Sequence, residues 1–283
     1  MSVRTIAVLG AGQMGAGIAQ VAAASGYDVI LRDIEERFVS GGLAKIEKGL
    51  QRTVEKGALK ADEARIIRGR IQGTLDLADA VRADLVIEAV PEEPELKKSV
   101  LREIDGLAPP SALFASNTSS IGIGELASAT RRADRFVGMH FFNPVPVMKL
   151  VEVVRGKETA DATVATALEV CARMGKTAVE VRDFPGFVSN RVLMPMINEA
   201  VLALQEKVAT REAIDTVMRL GANHPMGPLE LADFIGLDTC VNILEVLRKG
   251  FESEKYAPAP LLREMVSQGK LGRKSGHGFY DYA

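Results

Sequence analysis

The sequence predicts an α/β protein, with a doubly wound sheet in the first part of the chain and an all-helical second part. Two observations carry this. Over the first part, short apolar runs alternate with amphipathic stretches, the pattern of a parallel sheet covered by helices. At Asp183-Phe184-Pro185-Gly186 a turn signal intervenes, and helical spacing with little strand pattern follows. The domains are therefore expected at 1–182 and 183–283.

The expected strands are Thr5–Leu9, Asp28–Arg32, Ile71–Thr74, Leu85–Ala89, Leu113–Ala115, Arg135–Phe142, Met148–Val154 and Ala178–Val181, the last ones extending the sheet antiparallel. Met14–Ser25 reads as a helix stopped by Gly26, and Pro94–Leu107 and Ala162–Met174 are of the same kind. In the second part, Phe187–Glu206, Arg211–Leu220, Leu229–Phe251 and Leu261–Gln268 carry helical apolar stripes. Those stripes read first as core, with some surface for a dimer contact.

Composition narrows the function. The chain has 283 residues, 35 Lys+Arg against 37 Asp+Glu and a formal net charge of −2, which argues against a basic nucleic-acid binder. Cys171 and Cys240 form no CxxC, so neither a disulfide framework nor a cysteine zinc site is expected, and a reducing compartment fits. The three histidines add no metal-ligand spacing, so no metal is expected. Thr5–Tyr27 lacks charge and imitates a signal or membrane segment. Its glycines, with Gln13, Gln20 and Ser25, break the apolar run that such a segment needs. The expectation is a cytoplasmic protein with no membrane partner.

Gly10-Ala11-Gly12-Gln13-Met14-Gly15 follows an apolar strand and opens a helix. Gly10 can make the tight turn, Gly12 can let backbone approach a pyrophosphate, and Gly15 can let helix and strand pack closely. The helix start then offers N–H groups and a positive dipole end to phosphates. Asp33 closes the second strand, where an acid can hydrogen-bond a ribose hydroxyl. A dinucleotide cofactor is expected, and NAD over NADP because a carboxylate repels a 2′-phosphate. Arg32, beside it, works against that exclusion.

Among His140, His224 and His277, His140 stands out as a general acid or base. A hairpin centred on Pro146 sets 140 opposite 152, and Glu152 then faces His140 across the strands. The pair reads either as an acid–base dyad or as a buried staple, and the spacing alone leaves both open.

Three longer motifs are recognisable: Ser116-Asn117-Thr118-Ser119-Ser120, the run from His140 to Val153, and Pro185-Gly186-Phe187-Val188-Ser189-Asn190-Arg191. With Gly227-Pro228-Leu229-Glu230-Leu231-Ala232-Asp233 and the closing Gly276-His277-Gly278-Phe279-Tyr280, the chain resembles the L-3-hydroxyacyl-CoA dehydrogenase family over essentially its whole length. The resemblance implies a Rossmann-type N-terminal domain, a helical C-terminal domain forming much of a homodimer contact, and an acyl-CoA substrate, most like 3-hydroxybutyryl-CoA. It implies that His140 moves the hydroxyl proton, that Glu152 orients it, and that Ser119 and Asn190 hold the substrate oxygen. It also places Glu92, Lys97, Ser119, Asn143 and Lys274 at the cofactor, beside Gln13 and Met14 of the glycine turn. Lys45, Lys48, Arg52 and Lys56 line one face of a helical excursion, where the family contacts coenzyme A, and Lys56 is the best candidate. Taken without the resemblance, Ser119 reads as a cap for a helix starting near Ile121, and Asn190 as a solvent-facing residue. A free 3-hydroxy acid as substrate, or a non-catalytic NADH-binding protein on the same fold, are the alternatives.

Overall fold

The computed structural model describes residues 3–282, and the chain divides into two compact units, Met1–Phe184 and Pro185–Ala283. The first unit runs β1 (Thr5–Leu9), α1 (Gln13–Ala24), β2 (Asp28–Arg32), α2 (Glu36–Glu55), α3 (Ala61–Gly69), β3 (Ile71–Thr74), α4 (Leu77–Ala80), β4 (Leu85–Glu88), α5 (Pro94–Leu107), β5 (Leu113–Ser116), α6 (Ile123–Ala127), β6 (Phe136–Phe141), β7 (Leu150–Arg155), α7 (Asp161–Arg173) and β8 (Thr177–Arg182). The strands form one 8-stranded sheet in the order β3-β2-β1-β4-β5-β6-β7-β8. Both faces of its centre are covered, which is why Ile6, Ala7, Val8 and Leu9 are all apolar and 0% exposed.

β1 to β6 run parallel, and the strand order reverses between β1 and β4. In such a sheet ligands bind outside the carboxyl ends of the strands at that switch point. β7 pairs antiparallel with β6, as expected, but β8 then runs parallel to β7. The return to β8 is made by α7, so β7-α7-β8 is a crossover unit of its own rather than a continued meander.

The second unit holds α8 (Ser189–Gln205), α9 (Arg211–Gly221), α10 (Pro228–Ile235), α11 (Leu237–Gly250) and α12 (Pro260–Ser267) around a core that includes Ile197, Val201, Leu229, Leu244, Leu247 and Leu262. The single helix expected over Leu229–Phe251 is two. Gly236, at φ +104, donates its N–H to Ala232 O to finish α10 and accepts Cys240 N–H to begin α11. Apolar periodicity continues across the break, so the pattern hides it. Only a glycine adopts that φ without strain.

Both cysteines are free, buried thiols, and burial pushes each up to about 12. No helix among the described residues is long and apolar enough to cross a membrane.

Candidate active site

The turn after β1 is shaped by sterics at each glycine. Gly10 has φ +101, and a β-carbon there would lie 2.6 Å from the Ala89 carbonyl oxygen. At Gly15 a β-carbon would lie 1.7 Å from the Gly10 carbonyl oxygen, so α1 presses directly on the turn. Gly12 differs: nothing of the protein comes within 4 Å of a β-carbon built on it. That open surface beside the α1 N-terminus fits a pyrophosphate, with amide N–H groups and a positive dipole end facing it.

Asp33 stands just past β2 and holds the turn from the other side. Its Oδ2 accepts the Ala11 N–H at 2.7 Å, and its Oδ1 accepts the Ile34 N–H at 2.7 Å. Arg32 Nε donates to the Leu75 carbonyl at 3.3 Å. This contact turns the guanidinium toward the chain after β3 and restores the weight of Asp33 in excluding a 2′-phosphate.

Farther along the same edge, the loops after β4 and β5 are tied by one carboxylate. Glu92 Oε1 accepts the N–H groups of Ser119 at 2.8 Å and Ser120 at 3.2 Å, and the Thr118 hydroxyl at 2.6 Å. The Ser119 and Ser120 hydroxyls lie 3.2 Å from the same oxygen. Burial pushes Glu92 up, but the Lys97 ammonium and these hydrogen bonds outweigh it and hold the carboxyl below the usual range. Ser119 is thus no helix cap. α6 begins later, and Asp183 caps it by accepting the Ile123 N–H at 2.9 Å and the Gly124 N–H at 2.8 Å.

Lys97 is 1% exposed, and its three N–H donors are engaged within the protein: Glu88 Oε1 at 2.8 Å, Val90 O at 3.0 Å and Glu92 Oε2 at 3.2 Å. Glu88, which the sequence reading passed over, ends β4 at 0% exposure. Its signal was a lone acid closing the apolar strand Leu85-Val86-Ile87.

His140 lies near the carboxyl end of β6 and pairs in register with Glu152 of β7. Its Nδ1 is 2.8 Å from Glu152 Oε2, with the two residues 8% and 3% exposed. The Phe142 ring stands against the imidazole at 4.6 Å between centroids. With Nδ1–H donated to the carboxylate, the neutral ring carries its lone pair on Nε2. Asn117 joins the neighbouring strands by accepting the Phe141 N–H at 3.0 Å. The loop after β6 brings Asn143 to the glycine turn, where Gln13 Nε2 donates to Asn143 Oδ1 at 2.8 Å. Lys176 braces that loop by donating to the carbonyls of Val145 at 2.5 Å and Met148 at 2.7 Å.

The glycine turn, Asp33, the Glu92–Ser119 junction and His140 stand at or just past the carboxyl ends of parallel strands, in the crevice position for a dinucleotide, and Glu152 meets His140 from the antiparallel β7. Comparison with known proteins agrees with this geometry. Residues 5–184 match the 3-hydroxyacyl-CoA dehydrogenase NAD binding domain, and residues 186–282 match the C-terminal domain of the same enzymes. The chain belongs to the 3-hydroxyacyl-CoA dehydrogenase family.

Its relatives in that family include a probable 3-hydroxybutyryl-CoA dehydrogenase of Bacillus subtilis, 53% identical over 282 residues, covering 100% of this chain and 98% of the relative. A 3-hydroxybutyryl-CoA dehydrogenase of Bradyrhizobium diazoefficiens is 49% identical, covering 99% and 96%. The crystal structure of an (S)-3-hydroxybutyryl-CoA dehydrogenase from Ralstonia eutropha superposes with a TM-score of 0.98 at 48% identity, covering 100% of both chains. As a member of this dehydrogenase family the chain is an oxidoreductase that uses NAD, and Gly10, Gly12, Gly15 and Asp33 fit that cofactor.

The remaining expected residues are placed as follows. Lys56 is exposed at the C-cap of α2, beyond the exposed Lys45, Lys48 and Arg52 of that helix. Asn190 is in the first turn of α8 and is 8% exposed, so it is not the solvent-facing residue that its position in the chain suggests. Lys274 lies in a short 3-10 turn of the second unit and pairs with Asp238 at 2.5 Å.

Proposed function

We propose that this dehydrogenase interconverts (S)-3-hydroxyacyl-CoA and 3-ketoacyl-CoA, with a short acyl chain such as 3-hydroxybutyryl. The observation that carries the reading is the His140–Glu152 pair, Nδ1 to Oε2 at 2.8 Å, near the end of a strand on the edge where the glycine turn stands.

In oxidation, the C3 hydroxyl proton passes to His140 Nε2. Bound NAD supplies the acceptor for the hydride leaving C3. Glu152 accepts the Nδ1–H and so fixes the ring's orientation and tautomer, and its charge complements the imidazolium that forms. In reduction His140 returns the proton to the forming alkoxide. Ser119 and Asn190 hold the substrate oxygen, so that C3 meets the nicotinamide in one orientation. Gln13 and Met14 complete the phosphate turn, Glu92 and Asn143 contact the cofactor from the loops after β4 and β6, and Lys97 serves that contact through Glu92. Lys274 is assigned to the cofactor as well. Lys56 takes a phosphate of coenzyme A.

We assign the second unit to substrate binding and homodimer contact, with the protein working in the cytoplasm. The names of the relatives support the coenzyme A ester as substrate. The deciding experiment follows NADH oxidation with acetoacetyl-CoA, alongside free acetoacetate and with NADPH in place of NADH. Turnover that requires both the CoA ester and NADH is expected. Turnover of free acetoacetate would reassign the substrate class, and NADH binding without turnover would remove the catalytic assignment.

A further inference from the structure

Glu88 takes no part in the chemistry assigned above, yet its carboxylate is fully buried. Both its oxygens are engaged: Oε1 accepts the Val90 N–H at 2.7 Å and Lys97 Nζ at 2.8 Å, and Oε2 accepts the Ser116 hydroxyl at 2.5 Å. Lys97, early in α5, extends the chain of contacts to Glu92 Oε2 at 3.2 Å, and Glu92 Oε1 gathers Thr118, Ser119 and Ser120. A single ammonium is therefore shared by two carboxylates, one fully buried and one 37% exposed.

A buried ion pair costs desolvation, and an apolar pair of the same volume often serves a fold as well or better. Its presence therefore calls for a reason beyond cohesion. Another buried pair of the same unit shows what cohesion alone looks like. Arg132 Nε bonds Asp105 Oδ1 at 2.6 Å and its guanidinium also takes the carbonyls of Ala108, Pro109 and Ala112. That pair pins the chain leading into β5, at the amino edge of the sheet. The Glu88 pair ends instead on the loop that carries Ser119.

We propose that Glu88 is a positioning residue, which acts through Lys97 to divide the lysine's charge and so leaves Glu92 free to hold Ser119 at the reacting centre. With Glu88 neutral, Glu92 becomes the sole counter-charge of a buried ammonium and is drawn off the 118–120 loop. The inference rests on the reading that Ser119 meets the substrate, but its structural half does not depend on that reading.

The experiment compares the wild type with E88Q, E92Q, the double variant and, as control, D105N. Amide hydrogen exchange at Ser119 and Ser120 is the first readout, since both N–H groups are held by Glu92 and need no substrate to report. E88Q is expected to speed this exchange about tenfold, while D105N leaves it unchanged. In acetoacetyl-CoA reduction, E88Q should lower kcat about tenfold with KM little changed, as for a misplaced reacting group. The double variant should be no slower than E92Q, because the two residues act in series. Unchanged exchange in folded E88Q, or losses that multiply in the double variant, would overturn the proposal. If E88Q does not fold, S116A keeps every charge and carries the same test, with a smaller loss expected and unaltered exchange overturning it. A wild type inert toward acetoacetyl-CoA overturns the function assigned above, and the exchange measurement then decides the linkage on its own.

Discussion

Gly15 lies so close under Gly10 that a β-carbon on it would fall 1.7 Å from the Gly10 carbonyl oxygen, whereas the same atom on Gly12 would meet nothing within 4 Å. Two glycines three residues apart therefore answer to different demands. Gly15 serves the packing of the protein, and Gly12 leaves open space of the kind a ligand needs.

This separates two variants that sequence alone would group. Gly15→Ala should destabilise by about 1–3 kcal/mol through overpacking, read as a fall in Tm. Gly12→Ala, at φ −65, should leave Tm unchanged and weaken NADH binding about tenfold or more, read by fluorescence titration. Equal effects on Tm would refute the distinction.

For the proposed acid–base pair, His140→Ala should lower kcat by about 10²–10⁴ while NADH affinity is kept. Glu152→Gln preserves the shape of the partner but removes the charge, so it should also lower kcat, by a smaller factor. Turnover near wild type in either variant contradicts its assigned role.

Glu92 supplies a pH dependence of definite sign. Its folded-state carboxyl is held below the usual 4.5, so its contribution to stability is full above that value and is lost as pH falls through the lower, folded-state one. Tm measured from pH 6 down to 3 should drop more steeply in the wild type than in E92Q. Parallel curves would show that the loop does not depend on that charge.

Cofactor choice follows from Asp33 and from the Arg32 contact with Leu75. NADPH should be used with about tenfold or more lower kcat/KM than NADH, and Asp33→Ala should narrow the gap by relieving the clash with a 2′-phosphate. Comparable efficiency in the wild type would contradict this.

At the proposed coenzyme A contact, Lys56→Ala should raise KM for acetoacetyl-CoA with kcat little changed, since a phosphate contact far from C3 contributes equally to ground and transition states. An unchanged KM would remove Lys56 from the site.

What the sequence disclosed was local. The glycine turn is a steric statement made within six residues, and the His140–Glu152 register needs only counting outward from Pro146. What it hid depends on distant partners. Glu88 looks like any surface charge, and Lys97 is singled out only by the family resemblance, until β4 and α5 bury them together; the Gly236 break lies inside an unbroken apolar stripe. Without the resemblance Ser119 reads as a cap, because Glu92, whose carboxylate holds its N–H, lies 27 residues earlier in the chain. The parallel run of β8 follows from the helix expected over Ala162–Met174, a crossover that joins parallel strands, and the antiparallel expectation overlooked it.

The pairing of β6 with β7 makes their register a chemical quantity. His140 meets Glu152 because Gly138 meets Val154 and Phe141 meets Val151. Side chains alternate across the sheet, so sliding β7 by a single residue would bring Val151 or Val153 opposite the imidazole and turn the carboxylate to the other face. Any change that slid β7 by one residue would thus part the pair without replacing either member.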